Sequence, residues 1–240
     1  MAYKKKTYRF ENAIEIEEYH TAKYGAPGQK RVSRKKATPE QIEKRNQYNR
    51  EKRARHKLRK YFKTGDYYTD LTFQKEARPP DMKTTKALFS KFIRKVRREY
   101  QKRGYEFRWM RNIEVGTKGG WHIHIIINRI PDTDIILAKH WEHGKVINEL
   151  LYAVGEFRKL AAYITKTPKT DSRLKESDYS SSKNMLLPEP EEKIYRRWKT
   201  WKDVKVPDGY YLDQDTYYEG ENPVSRYQYR MYTLLKVRRE

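Results

Sequence analysis

The chain has 240 residues, with 55 Lys or Arg against 32 Asp or Glu and a formal charge of +23. That length supports one sizeable core with terminal extensions rather than two full domains, and the charge points to a polyanionic partner, nucleic acid first, because Lys and Arg that displace condensed counterions supply nonspecific affinity. Cysteine is absent, which excludes disulfides and thiolate zinc sites; no apolar run is long enough for a signal peptide or a bilayer span, so a soluble, cytoplasmic protein without a membrane partner is expected.

The first 60 residues hold 19 Lys or Arg and seven acidic residues. Residues 1–37 lack a sustained apolar period and read as a loosely ordered basic arm. Thr38-Pro39-Glu40-Gln41 has the form of a helix start, with a capping Thr, Pro at the first helical position and Gln at the capping-box position. The helix that follows, to about Leu58, is polar and densely basic. Arg53, Arg55, Lys57, Arg59 and Lys60 on it are candidate DNA contacts, as is Lys118 further on. Several of the 21 tyrosines and five tryptophans flank basic residues, among them Tyr48, Tyr61, Tyr195, Trp198, Trp201, Tyr227 and Tyr229. Unpaired bases stack on such rings while Lys and Arg hold the phosphates.

Tyr67–Phe73 is β-branched and aromatic and predicts a strand. Asp81 caps a predicted helix carrying Leu88, Phe89, Phe92, Ile93 and Val96 at helical spacing, and Gly104 stops it. Strands are predicted over Phe107–Val115 and Trp121–Ile127, joined by the glycine-rich run Gly116–Gly120. A short helix over 133–143, a strand over Gly144–Asn148 and a helix over Glu156–Lys166 follow, the last ended by Pro168. Residues 170–192 read as a loop, and Ser225–Val237 as a last strand. The expected organisation is a basic arm and helix at 1–60, a central domain at 61–192 and a Tyr-rich extension at 193–240 packed on it. The expected fold class is α+β, an antiparallel sheet with helices on one face and a metal site on the other.

Chemistry concentrates in Trp121-His122-Ile123-His124. On a strand His122 and His124 project from one side, while Trp121, Ile123, Ile125 and Ile127 face the other. Glu114 stands near the end of the preceding strand, where a hairpin would bring its carboxylate beside the imidazoles or, alternatively, leave it paired with a neighbouring cation. Two His and one carboxylate with open positions suit Mg²⁺ or Mn²⁺ and leave room for a phosphate oxygen. His140 and His143 read as surface or structural.

Three ordered segments resemble the HUH endonucleases, specifically rolling-circle replication initiators of small plasmids and single-stranded DNA phages. Tyr68-Thr69-Asp70-Leu71-Thr72-Phe73 resembles their first motif. Glu114 with Gly119-Gly120-Trp121-His122-Ile123-His124 resembles the metal motif, and Ala162-Tyr163-Ile164-Thr165-Lys166 the Tyr-x-x-Lys motif. Asp178–Leu186 is similar to a serine-rich loop after that helix. The resemblance implies that Tyr163 is the nucleophile, assisted by Lys166, in nicking single-stranded origin DNA to leave a 5′-phosphotyrosyl link and a 3′-hydroxyl primer. It implies a host helicase and polymerase as partners, since the chain has no phosphate-loop motif of its own. Asp70 departs from the aliphatic residue usual in the first motif, and Thr167 stands where a second tyrosine would be. A mobilisation relaxase or transposase of the same superfamily, or a single-strand binder without chemistry, are the competing readings.

Overall fold

The computed structural model describes residues 2–20, 38–116, 119–152, 157–166, 179–197, 200–222 and 227–237. Lys118, Thr167, Pro168, Asp178 and Trp198 therefore lie outside the described residues. The chain divides into two compact units, one of residues 50–187 and one of residues 1–49 with 188–240. Each holds a five-stranded antiparallel sheet.

The central unit carries β3 (Tyr67–Thr72), α2 (Met82–Lys102), β4 (Trp109–Val115), β5 (Trp121–Ile127), α3 (Thr133–His140), β6 (Val146–Leu150), α4 (Phe157–Thr165) and β7 (Ser180–Ser181). Its sheet order is β6-β3-β5-β4-β7. The predicted local signals operate here. The Asp81 carboxylate accepts the Thr84 N–H at 2.7 Å, and Gly104 takes φ 76° just past the end of α2. Gly119 at φ 72° turns the β4–β5 loop, whose ends meet as the Gly116 N–H donates to the Gly120 carbonyl at 2.8 Å.

Alternation then decides which side of the sheet each residue serves. Trp121, Ile123, Ile125 and Ile127 of β5 join Leu71, Ile113 and Val115 in a core with Phe89, Phe92, Ile93 and Val96 of α2 and Ile136 and Leu137 of α3. His143 belongs to this packing and stacks on Phe73 at 6.0 Å. A second core forms on the opposite face, where Met110 and Ile126 meet Leu58 of α1 and Phe157, Ala161 and Ile164 of α4. Helices thus pack on both faces of this sheet, where one face was expected, because α1 and α4 each present a short apolar stripe.

α1 (Pro39–Tyr61) starts as predicted: the Gln41 N–H donates to Thr38 Oγ1 at 3.3 Å while the Thr38 N–H donates to Gln41 Oε1 at 3.2 Å. Its last turns are more buried than a polar, densely basic helix of candidate DNA contacts would be. Ala54 and Leu58 are wholly buried, and Arg55 and Arg59 flank them at only 7% exposure. Lys57 is half-buried and donates to Ser181 Oγ at 2.7 Å, and burial, with Arg53 nearby, lowers its pKa. Of the proposed contacts on this helix, Arg53 and Lys60 are exposed.

The other unit corrects the expected arm. Tyr3–Arg9 is a strand, β1, and Ala13–His20 another, β2. They pair with β8 (Glu191–Tyr195), β9 (Tyr210–Glu221) and β10 (Gln228–Lys236) in the order β8-β1-β2-β10-β9. The Tyr-rich extension and the first 20 residues therefore build one sheet of their own, around Ile14, Ile16, Tyr232 and Leu234. The arm looked irregular because Glu15, Glu17 and Glu18, all buried, mask the alternation of Ile14 and Ile16.

Truncating Ile123, which has no exposed surface, removes buried methylenes and leaves a cavity. Ile123→Ala should destabilise the central unit by about 2–5 kcal/mol in urea unfolding followed by Trp fluorescence. Ile135→Ala, at a side chain 66% exposed, should change it by less than about 0.5 kcal/mol.

Candidate active site

The polar face of the central sheet gathers the motif residues. In register, β5 sets His122 opposite Glu114 of β4, and His124 opposite Asp70 of β3. Period-two alternation puts Tyr68, Asp70, Glu114, His122 and His124 on one side. His124 is central. Its Nε2 lies 3.5 Å from Glu114 Oε2 and its Nδ1 3.7 Å from Asp70 Oδ1. The other Asp70 oxygen accepts from His122 Nδ1 at 3.3 Å.

Asp70, where an aliphatic residue was usual, thus faces the Nδ1 atoms of both imidazoles and leaves their Nε2 atoms turned away from it. A carboxylate at Nδ1 fixes the tautomer and the ring orientation, the arrangement that readies Nε2 for a metal or a proton. Asp70 raises the pKa of His122, first through their hydrogen bond, with burial opposing.

α4 delivers the tyrosine. Its apolar stripe of Phe157, Ala161 and Ile164 is buried, which turns Tyr163 outward at 39% exposure. The Tyr163 hydroxyl lies 3.4 Å from His124 Nε2, and the ring meets the imidazole edge-on at 5.6 Å. Tyr68 stacks on the same imidazole at 5.8 Å. Burial raises the Tyr163 pKa; Tyr68 lowers it by hydrogen bonding, and Glu114 and Asp70 raise it further. Asn112 ties the end of α4 to the sheet, donating from Nδ2 to the Lys166 carbonyl at 3.1 Å. Lys166 follows the last helical residue and is exposed. Among the described contacts its ammonium does not reach Tyr163, Glu114 or either histidine. Arg78 stands closer: its Nη2 would lie 3.5 Å from a Cβ added at Gly120, and its charge acts on His122.

Tyr68, Asp70, Asn112 and Arg78 were not singled out as site residues from sequence. Tyr68 and Asp70 carry a usable signal, the two-residue alternation of β3, once β3 is paired with β5. Arg78 lies in the connection between β3 and α2 and has no periodic signal.

Among the described residues no group of three His, Asp or Glu is arranged to hold a metal ion. The donor types are nevertheless those that a hard divalent cation takes. Imidazole and carboxylate are its acceptable ligands, and two atoms bound about 2.1 Å from one Mg²⁺ at right angles lie about 3 Å apart, near the 3.5 Å between Glu114 Oε2 and His124 Nε2. Asp70 Oδ1 and His124 Nδ1 are buried without a hydrogen-bond partner, and a small closure of their gap would satisfy both.

The Asp70–His122 pair has a measurable signature in metal-free protein. Because its folded pKa is raised, His122 contributes stability that is complete below the unfolded pKa and is lost as pH rises through the folded one. Asp70→Asn should return the His122 titration, followed by imidazole NMR in EDTA, towards the ordinary His value near about 6.5 and remove that acid-side contribution. An unmoved titration would show that Asp70 does not hold the ring.

No helix among the described residues is long and apolar enough to cross a membrane. Comparison with curated proteins and with solved structures finds no match. Residues 66–168, which run from the residue before β3 to just past α4 and hold the whole cluster, match the family of replication-associated proteins, in agreement with the replication-initiator resemblance carried by the three motifs.

Proposed function

We propose that the central unit nicks single-stranded DNA at a replication origin, with Tyr163 as nucleophile and Glu114, His122 and His124 holding Mg²⁺ or Mn²⁺. The observation that carries this reading is the Tyr163 hydroxyl 3.4 Å from His124 Nε2, at the edge of a cluster of two imidazoles and two carboxylates. A tyrosine packed for structure alone would not need to turn its hydroxyl to that nitrogen.

The chemistry balances without water or an external oxidant. The Tyr163 oxygen bonds to phosphorus, the bond from phosphorus to the 3′-oxygen breaks, and the phenolic proton ends on that oxygen as a 3′-hydroxyl. The products are a 5′-phosphotyrosyl strand and a primer end, and the link keeps the phosphate activated for rejoining. When bound, a divalent cation would draw charge from the non-bridging phosphate oxygens. The residues themselves favour such a cation. Burial, then Glu114 and Asp70, disfavour a phenolate at Tyr163, and a bare anionic cluster would also repel the substrate phosphate. Tyr68 offers a hydroxyl to Tyr163, and burial keeps that donor protonated by raising its pKa. Arg78, beside Gly120 and His122, is placed to hold a phosphate of the bound strand. Lys166, exposed just past the end of α4, would assist at the phosphate. A host helicase and polymerase would open the origin and extend the primer.

Incubation of labelled single-stranded origin DNA with the full chain and Mn²⁺ should give a covalent protein–DNA adduct. EDTA should abolish it, and Tyr163→Phe should abolish the adduct while DNA binding persists. Cutting by Tyr163→Phe would make water or another tyrosine the nucleophile and overturn the assignment. Binding without cleavage in every metal would favour a non-catalytic binder.

His122→Ala and His124→Ala should each weaken Mn²⁺ binding in calorimetry by at least about 100-fold, and Asp70→Asn by about 10–100-fold, the range for removing a carboxylate behind a ligating imidazole. Equal binding by all three variants would place the metal elsewhere.

A further inference from the structure

The sheet built from both ends of the chain carries an open cavity of about 430 Å³. Its floor is apolar and aromatic, with Ile16, Tyr232 and Leu234 on β2 and β10. At one end Tyr3 and Tyr195 stack in parallel, centroids 4.6 Å apart, and the Trp201 ring meets Tyr3 edge-on at 5.9 Å. Arg230 is fixed beside them. Its guanidinium donates to Glu18 Oε2 at 2.5 Å and to the Lys202 carbonyl at 2.6 Å, and it lies 5.5 Å from the ring centres of both Trp201 and Tyr232. Lys5, Lys202 and Lys205 stand on the lining, the last two exposed.

These features suit one kind of ligand. The lining carries Lys5, Arg9, Lys202, Lys205 and Arg230 against Glu18 and Asp203, an excess of positive charge that favours an anion. A phosphate alone would not use an aromatic and aliphatic floor, and a lipid or apolar peptide would not use the lysines. A flat base on the floor with phosphates on the lysines uses both. The cavity lies in the size range of small-ligand sites, which admits an unpaired nucleotide and not a duplex. We infer that this sheet is a second DNA-binding surface, which holds an unpaired nucleotide of single-stranded DNA in the cavity while Lys202 and Lys205 grip its flanking phosphates. The site lies outside the segment matched to the replication-associated family, residues 66–168, and it requires no cleavage by Tyr163.

Binding is read on the full chain carrying Tyr163→Phe, in EDTA, so that cutting cannot contribute. The probe is a fluorescent oligothymidylate of roughly 15 nucleotides, titrated by anisotropy from about 50 to 200 mM salt. Lys202→Gln/Lys205→Gln should weaken binding roughly tenfold and lower the slope of log K against log salt by about 1.4, since each single-strand phosphate contact contributes about 0.7. Lys83→Gln/Lys91→Gln, which removes the same charge from the exposed side of α2, should leave the slope within about 0.3 of the parent. With 5-iodouracil in the probe, photocrosslinks should fall on peptides containing Tyr3 or Tyr195, which line the cavity. Equal slopes and affinities for the two double variants, or crosslinks confined to residues 66–168, would overturn the inference. Loss of nicking with this binding intact would overturn only the tyrosine mechanism, so the two failures are distinguishable.

Discussion

The register of three strands is the constraint on which the candidate site depends. β5 lies between β3 and β4, pairing His124 with Asp70 on one side and His122 with Glu114 on the other. A slip of one residue would turn every one of these groups to the opposite face. What prevents the slip is the underside. Trp121, Ile123, Ile125 and Ile127 are essentially unexposed, and burying side chains of that size stabilises by about 1.5–3 kcal/mol each. The apolar face therefore fixes which groups the polar face brings together.

The chain as a whole is strongly basic, +23, yet Asp70, Glu114 and two imidazoles meet at one point of it. Burial raises the Tyr163 pKa, and Glu114 and Asp70 add to that rise, so the cluster opposes ionisation of the tyrosine beside it. Arg78 beside Gly120 supplies one compensating charge from the chain.

Much of the central unit was legible because its signals are local. The Thr38–Gln41 box, Asp81, Gly104 and the Gly116–Gly120 turn act within a few residues, and the His-x-His alternation needs only one strand. β5 begins and ends where the alternation does, at Trp121 and Ile127. Less legible was everything that needed a partner. Asp70 looked like a flaw in an apolar strand, and it acquires a purpose only when β3 lies beside β5. Arg55 and Arg59 read as candidate DNA contacts because a helix's sequence does not reveal that Ala54 and Leu58 will be covered, carrying the arginine stems in with them.

The terminal sheet was the least legible, and the reason is topological. β2 pairs with β10 from Ala13↔Leu235 to Tyr19↔Tyr229, across most of the chain. No window of sequence contains both strands, and β2 alone, Ala-Ile-Glu-Ile-Glu-Glu-Tyr-His, reads as acidic. Its glutamates are buried because their partners come from far along the chain: Arg230 pairs with Glu18 at 2.5 Å and the Tyr229 hydroxyl donates to Glu17 at 3.0 Å. Closing a flexible loop as long as residues 50–187 costs about 4 kcal/mol, less than the burial of three or four large side chains returns. A sheet assembled from both ends is therefore thermodynamically ordinary, although nothing local announces it. The consequence for function is that its surface is complete only when both ends of the chain are in place. Tyr3 and Tyr195 stack, and Arg230 bridges Glu18 to the Lys202 carbonyl, only in the assembled sheet.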